Sequence, residues 1–172
     1  EKDLAFESLF VAQKVVQRSI TVAAVAKSLS KQAALVEWVK IWDFDFSKVI
    51  WAQTTRYLAF VVSATGDVAM VDFGEAGEID KQARLALEHV QGSLKAAQRS
   101  QQSLQALYQT VWRPLEQPLG KADKILLSPD GQLNLVPFAA LMDAKGRPLL
   151  ERYRLAYVTS GRELVAAADT GI

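Results

Sequence analysis

Alternation between apolar and polar positions predicts a β-hairpin in the first half of the chain. Residues 57–62 are rich in aromatic and β-branched side chains, and residues 68–73 follow the same period of two. Thr65-Gly66-Asp67 supplies the turn between them. Because side chains alternate across a strand, we expect two sets on opposite faces of the sheet. One set is Val68, Met70 and Asp72, and the other is Ala69, Val71 and Phe73.

A continuous apolar run, Ile125–Leu127, predicts a strand that is covered on both faces. The next residues, Ser128–Gly131, read Ser-Pro-Asp-Gly and predict a tight turn. Pro129 presets φ near −65° at the first central position, and Gly131 tolerates the positive φ that follows a type I turn in a hairpin.

The residues after this turn predict a second short strand and then a helix. Leu133 and Leu135 would share one face of that strand. Pro137 has no N–H to donate, so it would end the pairing. It also suits the first turn of a helix that carries Phe138 and Leu141.

Apolar spacings of three and four predict helices around these strands. The first is expected over residues 4–29, and the longest is expected from Ile79, after a loop at residues 74–78. The polar tract 98–103 predicts a break or an exposed overhang. Ser103 is expected to cap a third helix.

Three of the four tryptophans, Trp38, Trp42 and Trp51, lie between residues 31 and 53. Residues 42–46 alternate aromatic and acidic side chains, which predicts an extended segment. We interpret the tryptophans as an aromatic cap over the core. The alternative is a partner-binding surface, because large exposed aromatic side chains often mark one.

The last part of the chain predicts a strand and the start of a helix. Residues 154–158 alternate as a strand does, after a turn at residues 143–146. Ser160 and Glu163 have the spacing of a capping box, which begins a helix.

Composition and charge exclude several classes of protein. Half of the residues are hydrophobic and the formal net charge is +1, so the chain is expected to fold and offers no general attraction for nucleic acid or membranes. The sequence contains no cysteine, which excludes disulfides, cysteine-ligated zinc and a cysteine nucleophile within these residues. We expect no cofactor, a protein partner and a cytoplasmic location.

Candidate catalytic groups are few and unconvincing. His89 is the sole histidine and has no companion ligand or triad motif. Ser128 and Ser160 follow strands, but a turn explains the first and a helix cap the second. Four acidic residues are candidates for a carboxylate pair, although nothing in their spacing brings them together: Asp43, Asp45, Asp72 and Glu75. Gly74 and Gly77 lack the pattern of a phosphate-binding loop. The sequence therefore predicts no catalytic, cofactor-binding or metal-binding residue.

The most specific stretch of the sequence is Leu127–Leu141, in which Ser-Pro-Asp-Gly is followed by Pro-Phe. Before it lie the hairpin with Gly66, the Gly74-to-Ile79 entry to the long helix, and the Leu107-Tyr108 to Pro114-Leu115 segment. After it come Tyr153–Tyr157, Ser160 and Leu164. From about Ala34 to Leu164, this order resembles the CHAT family, the caspase-like domains found downstream of tetratricopeptide repeats.

The resemblance implies a relative of the cysteine peptidases with a three-layer α/β fold. In such domains a histidine and then a cysteine lie on later strands, so His89 does not match the family histidine. No catalytic residue is carried over to this sequence. The expected fold is an incomplete caspase-like three-layer sheet with helices, preceded by an N-terminal helix.

Two segments are expected. Residues 1–33 would be an N-terminal helical segment, either a core helix of this domain or the end of a helical repeat array. Residues 34–172 would be the N-terminal portion of a CHAT-like α/β domain. Because the chain begins at Glu1 and stops at Ile172 within a newly capped helix, we expect a fragment with two cut ends.

Three functions are compatible with these patterns. The leading hypothesis is the non-catalytic scaffold of a CHAT-type peptidase or pseudo-peptidase, with the remainder of the polypeptide and upstream repeats as partners. The alternative is an interaction module that a partner strand or self-association completes. A hydrolase that uses Ser128 or Ser160 ranks last.

Overall fold

The computed structural model describes residues 20–45, 49–91 and 97–170. In chain order its helices and strands are α1 Val22–Ser28, β1 Ala33–Asp45, β2 Ile50–Ser63, β3 Val68–Glu75, α2 Ala76–Gln91, α3 Ala97–Val111, α4 Glu116–Leu119, β4 Lys124–Ser128, β5 Arg154–Tyr157 and α5 Gly161–Thr170. Short 3-10 helices cover Arg113–Leu115, Gly131–Leu135, Phe138–Ala140 and Leu149–Glu151.

Within the described residues, five strands form one mixed sheet in the order β3-β2-β1-β4-β5. The first three strands pair antiparallel, and Val62 faces Val68 across the predicted hairpin. On its other side β1 pairs parallel with β4, and β4 pairs parallel with β5. The predicted α/β class and the predicted hairpin are therefore confirmed.

Helices cover both faces of the sheet, which gives three layers. On one face, Val36 and Trp38 of β1 join a large core that α2 and α3 complete. On the other face, Leu35 and Val62 pack against α1, and Leu164 of α5 lies beside them. Because side chains alternate along a strand, β1 contributes to both cores at once.

The predicted second strand at Leu133 and Leu135 is wrong, because residues 131–135 form a 3-10 helix. The tight turn predicted at residues 128–131 is also wrong, because Asp130 is extended, with φ −127° and ψ 159°, where a type I turn needs ψ near 0°. The reason lies in the sheet. β4 is bounded by β1 on one side and β5 on the other, so no edge is free for a hairpin partner. The side chain of Asp130 caps the 3-10 helix by accepting a hydrogen bond from the Gly131 N–H. Leu133 is buried, whereas Leu135 is exposed.

The predicted helix boundaries also need correction. Residues 74–78 are not a loop, because β3 continues to Glu75 and α2 begins at Ala76. Residues 98–103 lie inside α3, so the predicted break is wrong. Ser103 is therefore not an N-cap; its hydroxyl lies 2.5 Å from Nδ1 of His89 on α2. The polar tract is the exposed side of a helix whose other side is buried at Leu104 and Leu107.

The predicted N-terminal helix is confirmed at α1, whereas residues 4–19 lie outside the described residues. The extended segment at residues 42–46 is confirmed as far as Asp45. Trp38 is fully buried, as an aromatic cap requires, but Trp42 is exposed, so the interpretation does not hold for Trp42.

The capping pair at the start of α5 is displaced by one residue from the expected pattern. The Ser160 hydroxyl accepts a hydrogen bond from the Arg162 N–H, and the Glu163 carboxylate accepts one from the Thr159 N–H. The turn at residues 143–146 is confirmed by the hydrogen bond from the Gly146 N–H to the Asp143 carbonyl.

Gly161 is the point at which α5 touches the sheet. A Cβ at this position would lie 2.6 Å from Cδ2 of Leu35 and 3.1 Å from Cγ1 of Val25. Both neighbours are buried, so neither can move freely. Gly161→Ala is expected to lower the free energy of unfolding by about 1–2 kcal/mol, the usual cost of overpacking.

Gly77 in α2 provides the matched control for this prediction. A Cβ there meets only Oε1 of Glu75, at an ordinary 3.5 Å. Gly77→Ala should therefore raise the stability by about 0.5–1 kcal/mol through helix propensity. Urea denaturation of both variants tests whether the free energy of unfolding falls in Gly161→Ala and rises in Gly77→Ala. Stabilisation by Gly161→Ala would mean that the contact between α5 and the sheet is loose.

Candidate functional site

The parallel strands β4 and β5 end at the same edge of the sheet, and a cleft opens there. Open α/β sheets bind ligands beyond the carboxyl ends of their parallel strands. The cleft has a volume of about 480 Å³. Its lining residues come from the end of β5, the start of α5 and the segments that follow β4 and β5: Pro129, Asn134, Tyr157, Val158, Thr159 and Glu163. This is the position in the fold where chemistry is expected.

The polar groups of the cleft stabilise its own backbone. The hydroxyl of Ser128, a buried residue, donates a 2.8 Å hydrogen bond to the Thr159 carbonyl and so joins the ends of β4 and β5. The Glu163 carboxylate accepts a 2.9 Å hydrogen bond from the Thr159 N–H. Hydrogen bonding from the Thr159 side chain, and then from this N–H, lowers the pKa of Glu163. The Ser160 hydroxyl accepts from Arg162. Neither serine has a histidine among these partners.

His89 lies elsewhere, on the outer side of the helical layer. Its Nδ1 is 2.5 Å from the Ser103 hydroxyl, and its carbonyl accepts a hydrogen bond from the Ser100 hydroxyl. These contacts join α2 to α3. The structure therefore gives His89 a role in helix packing and does not bring it to the cleft.

Two of the four acidic residues considered above do come together. The guanidinium of Arg56 on β2 contacts the carboxylates of Asp43 on β1 and Asp72 on β3. Neighbouring strands bring them together, which linear spacing could not reveal. These three residues form a partly exposed ion-pair cluster, in which both carboxylates accept from the Arg56 guanidinium.

A buried polar network lies beneath the Ser-Pro-Asp-Gly segment, and no sequence motif indicated it. The Tyr57 hydroxyl donates to Oδ1 of Asp80 at 2.8 Å and accepts from the Gln132 N–H at 3.0 Å. The Lys40 ammonium lies 2.6 Å from Oδ2 of Asp80. The backbone N–H of Lys40 donates to Oδ2 of Asp130 at 2.8 Å. These bonds join this segment to β1, β2 and α2.

One signal in the sequence could have revealed this network. Asp80 stands on the buried stripe of α2, between Ala76 and Ala83. A charged residue on an apolar stripe is seldom buried without a partner. Lys40 and Tyr57 are cross-strand neighbours on the same face, so both are placed to be that partner.

The phenol of Tyr57 links stability to pH. Burial raises its pKa above the ordinary value of 10, and its hydrogen bond to Asp80 raises it further. The unfolded chain therefore loses this proton first, so the stabilisation is complete below about pH 10 and falls as the pH rises above it. Tyr57→Phe should flatten this alkaline decline. At neutral pH it should cost about 1–3 kcal/mol, because Asp80 and Gln132 lose their partner.

Urea denaturation across neutral and alkaline pH tests this prediction. Burial also raises the pKa of Tyr108, and partial desolvation raises that of the half-exposed Tyr157, so part of the decline should remain in the variant. An alkaline slope identical to that of the parent protein would show that Tyr57 ionises equally in the folded and unfolded chains.

Residues 20–45, 49–91 and 97–170 contain no group of three or more His, Cys, Asp or Glu side chains that could hold a metal ion. No helix in those ranges is long and apolar enough to cross a membrane.

One family model matches part of the chain: residues 101–170 match the model of the CHAT domain. The match covers most of α3, α4, the strands β4 and β5, the segment between them and α5, and thus every residue that lines the cleft. A search of curated proteins found no match to the chain.

Proposed function

Because residues 101–170 match the CHAT-domain family model, we propose that the chain is the non-catalytic scaffold of a CHAT-type, caspase-like cysteine peptidase or pseudo-peptidase. In this role it supports the catalytic sheet and links it to upstream helical repeats. The thiolate nucleophile and its histidine base would lie outside these residues. The cleft at the ends of β4 and β5 is the observation that carries the proposal.

The contacts of the cleft support a scaffold role. Its hydroxyl and carboxylate groups bond to backbone atoms of the two loops, as Ser128 and Glu163 do. The sequence contains no cysteine, so these residues cannot supply a thiolate. What they can supply is a rigid edge of parallel strands, against which further strands could align.

The test compares this chain with the natural gene product from its source cells. Immunoprecipitation and intact-mass measurement give the size of that product, and an electrophilic thiol-directed peptide probe reports a reactive cysteine. We expect a product much larger than 18.9 kDa. In a peptidase it is labelled by the probe, whereas a pseudo-peptidase has the larger mass without labelling. A natural product of this chain's own mass contradicts the proposal.

Serine variants provide the control for the chemistry. Ser128→Ala and Ser160→Ala should leave any thiol-dependent peptide cleavage by the natural product unchanged. Loss of cleavage in either variant, with the fold intact by circular dichroism, would instead favour a serine hydrolase.

The outer edge of β5 favours a second candidate, an interaction module completed by another strand. In the described part of the chain β5 pairs only with β4. The N–H groups of Arg154 and Val158 donate toward β4. Because N–H groups alternate along a parallel ladder, the N–H of Tyr157 points to the free edge. A strand added there would accept from it.

A pair of substitutions separates the two candidates. Tyr157→Pro removes the outward N–H, and Tyr157→Ala removes the same exposed side chain but keeps that N–H. If the chain self-associates through β5, light scattering should show dimers that Tyr157→Pro abolishes and Tyr157→Ala retains. Monomers at every concentration, together with a larger natural product, favour the scaffold.

A further inference from the structure

A further cavity lies between the end of α3 and the turn at residues 143–146, away from the cleft at the ends of β4 and β5. Its volume is about 230 Å³. Its lining residues come from α3, the 3-10 helix that follows it and the turn: Tyr108, Gln109, Arg113, Asp143, Ala144 and Lys145. Drug-sized ligands fill cavities of roughly 300–1,000 Å³. This cavity is therefore sized for a single chemical group.

The carboxylate of Asp143, the acidic group among these lining residues, is already satisfied within the turn. Its Oδ1 accepts from the backbone N–H groups of Lys145 and Arg147, at 2.8 Å and 3.0 Å. Its Oδ2 lies 2.8 Å from Nη2 of Arg147 and accepts from Nε of the same guanidinium at 3.0 Å. The charges of Asp143 and Arg147 thus cancel, and Asp143 does not neutralise another cation.

The cations that line the cavity have no acidic partner. Among the residues that the structure describes, no carboxylate forms an ion pair with Arg113 or Lys145. Nη1 of Arg113 donates to Oε1 of Gln109 at 2.8 Å. This bond uses the amide oxygen of Gln109, so its NH2 group is left as a donor. A guanidinium, an ammonium and an amide NH2 group therefore line one cavity.

Tyr108 belongs to a second satisfied cluster beside the cavity. Its hydroxyl donates to Oε1 of Glu116 at 2.8 Å, and the same oxygen lies 2.8 Å from Nη1 of Arg152. The charges of Glu116 and Arg152 cancel as those of Asp143 and Arg147 do. Single unpaired cations are common on protein surfaces, but here two of them share a concave site whose acidic neighbours are all paired. The site has an excess of positive charge and of hydrogen-bond donors.

We propose that this cavity binds the phosphate group of a phosphomonoester. Such a group carries a charge of about −1.5 to −2 near neutral pH and has three strong acceptor oxygens. Arg113 and Lys145 together match that charge, and a guanidinium presents paired donors to phosphate oxygens. A carboxylate would carry only one negative charge and two oxygens. The inference does not depend on the proposed function, because it concerns a different surface of the fold.

Nuclear magnetic resonance titration of the ¹⁵N-labelled 172-residue chain with methyl phosphate tests the proposal. At neutral pH and constant ionic strength, we expect saturable shifts of the backbone amide resonances of Gln109, Ala144 and Lys145. Arg113→Gln and Lys145→Gln should each weaken binding by about tenfold, because each removes a hydrogen bond between charged groups. Both side chains are exposed, so these variants should keep the fold.

Arg99→Gln is the matched control. Arg99 is an exposed residue of the same helix, and the substitution removes the same charge. It precedes Gln109 by ten residues, about 15 Å along the helix, which exceeds the screening length of about 8 Å in physiological salt. The affinity for methyl phosphate should therefore change by less than about twofold in this variant.

Three results would overturn the proposal: no saturable shift with methyl phosphate, equal affinity for acetate, or equal weakening by Arg99→Gln and Arg113→Gln. A phosphoserine peptide blocked at both ends distinguishes the sources of the group. Tighter binding of this peptide than of methyl phosphate would support a phosphorylated protein as the source. Equal binding of the two would support a small phosphorylated molecule, with the same site and the same chemistry.

Discussion

Replacing Gly131 with alanine is expected to lower the free energy of unfolding by about 3 kcal/mol, with a fall in Tm of roughly 10 °C. Gly131 has a φ of +55°, where a side chain is strained. A Cβ there would also collide with the hydroxyl of Tyr57 and lie 3.1 Å from Cδ of Lys40. Tyr57 is fully buried, so it cannot move aside without breaking its bonds to Asp80 and Gln132.

A substitution at Gly74 distinguishes the cost of backbone strain from the cost of the collision with Tyr57. Its φ is +77°, but a Cβ at Gly74 meets nothing within 4 Å. Gly74→Ala should therefore cost only the backbone strain, about 1–2 kcal/mol. Thermal and urea unfolding of both variants give the comparison. If the two substitutions cost the same, the buried network contributes nothing at Gly131, and the Tyr57 hydroxyl is free to move.

Replacing Phe138 with alanine is expected to have the largest effect of all, about 3–5 kcal/mol. Phe138 is completely buried, and its ring centre lies 4.9 Å from that of Trp38 and 6.2 Å from that of Trp112. Removing the ring leaves a cavity between β1 and the end of α3, bounded by two large rigid rings that cannot collapse into it.

Tryptophan fluorescence and near-ultraviolet circular dichroism should report this change together with urea unfolding, because two of the four tryptophans flank the cavity. Leu135→Ala is the control, since Leu135 lies three residues earlier and is exposed. It should change the stability by no more than about 0.5 kcal/mol. A small effect of Phe138→Ala would mean that the aromatic cluster repacks.

The elements predicted correctly from the sequence are those in which local pattern and tertiary structure agree. The hairpin of β2 and β3 followed from a period of two and a turn with glycine. Gly131 has the expected positive φ, but the type I hairpin turn from which that expectation came is not formed, because Asp130 is extended. The prediction of a strand at Leu133 is wrong because the local pattern fits both a strand and a 3-10 helix. The parallel strand β5 occupies the edge that a hairpin would have needed, and residues 133–135 alone do not contain that information.

The buried network also could not be predicted from local sequence patterns, because it joins residues that are distant in the sequence. Lys40, Tyr57, Asp80 and Asp130 belong to four different elements, and each looks ordinary in its own segment. Only the position of Asp80 on an apolar stripe departs from the expected pattern. The cleft was equally hidden, since its lining comes from segments that parallel pairing brings side by side.

The two-sided pairing of β1 has a consequence for how the chain folds. On one edge β1 pairs antiparallel with β2, which follows it closely in the sequence. On the other edge β1 pairs parallel with β4, which is distant in the sequence, so that Ala33 pairs with Lys124. Closing that long loop is expected to limit the folding rate, with the three-stranded meander formed first. Until β4 arrives, the backbone groups of Ala33–Glu37 on that edge have no strand partner and can accept a strand from another molecule. A ribosome that pauses before residue 124 would therefore hold an aggregation-prone intermediate, and slow synthesis through α2 and α3 should lower the yield of folded protein.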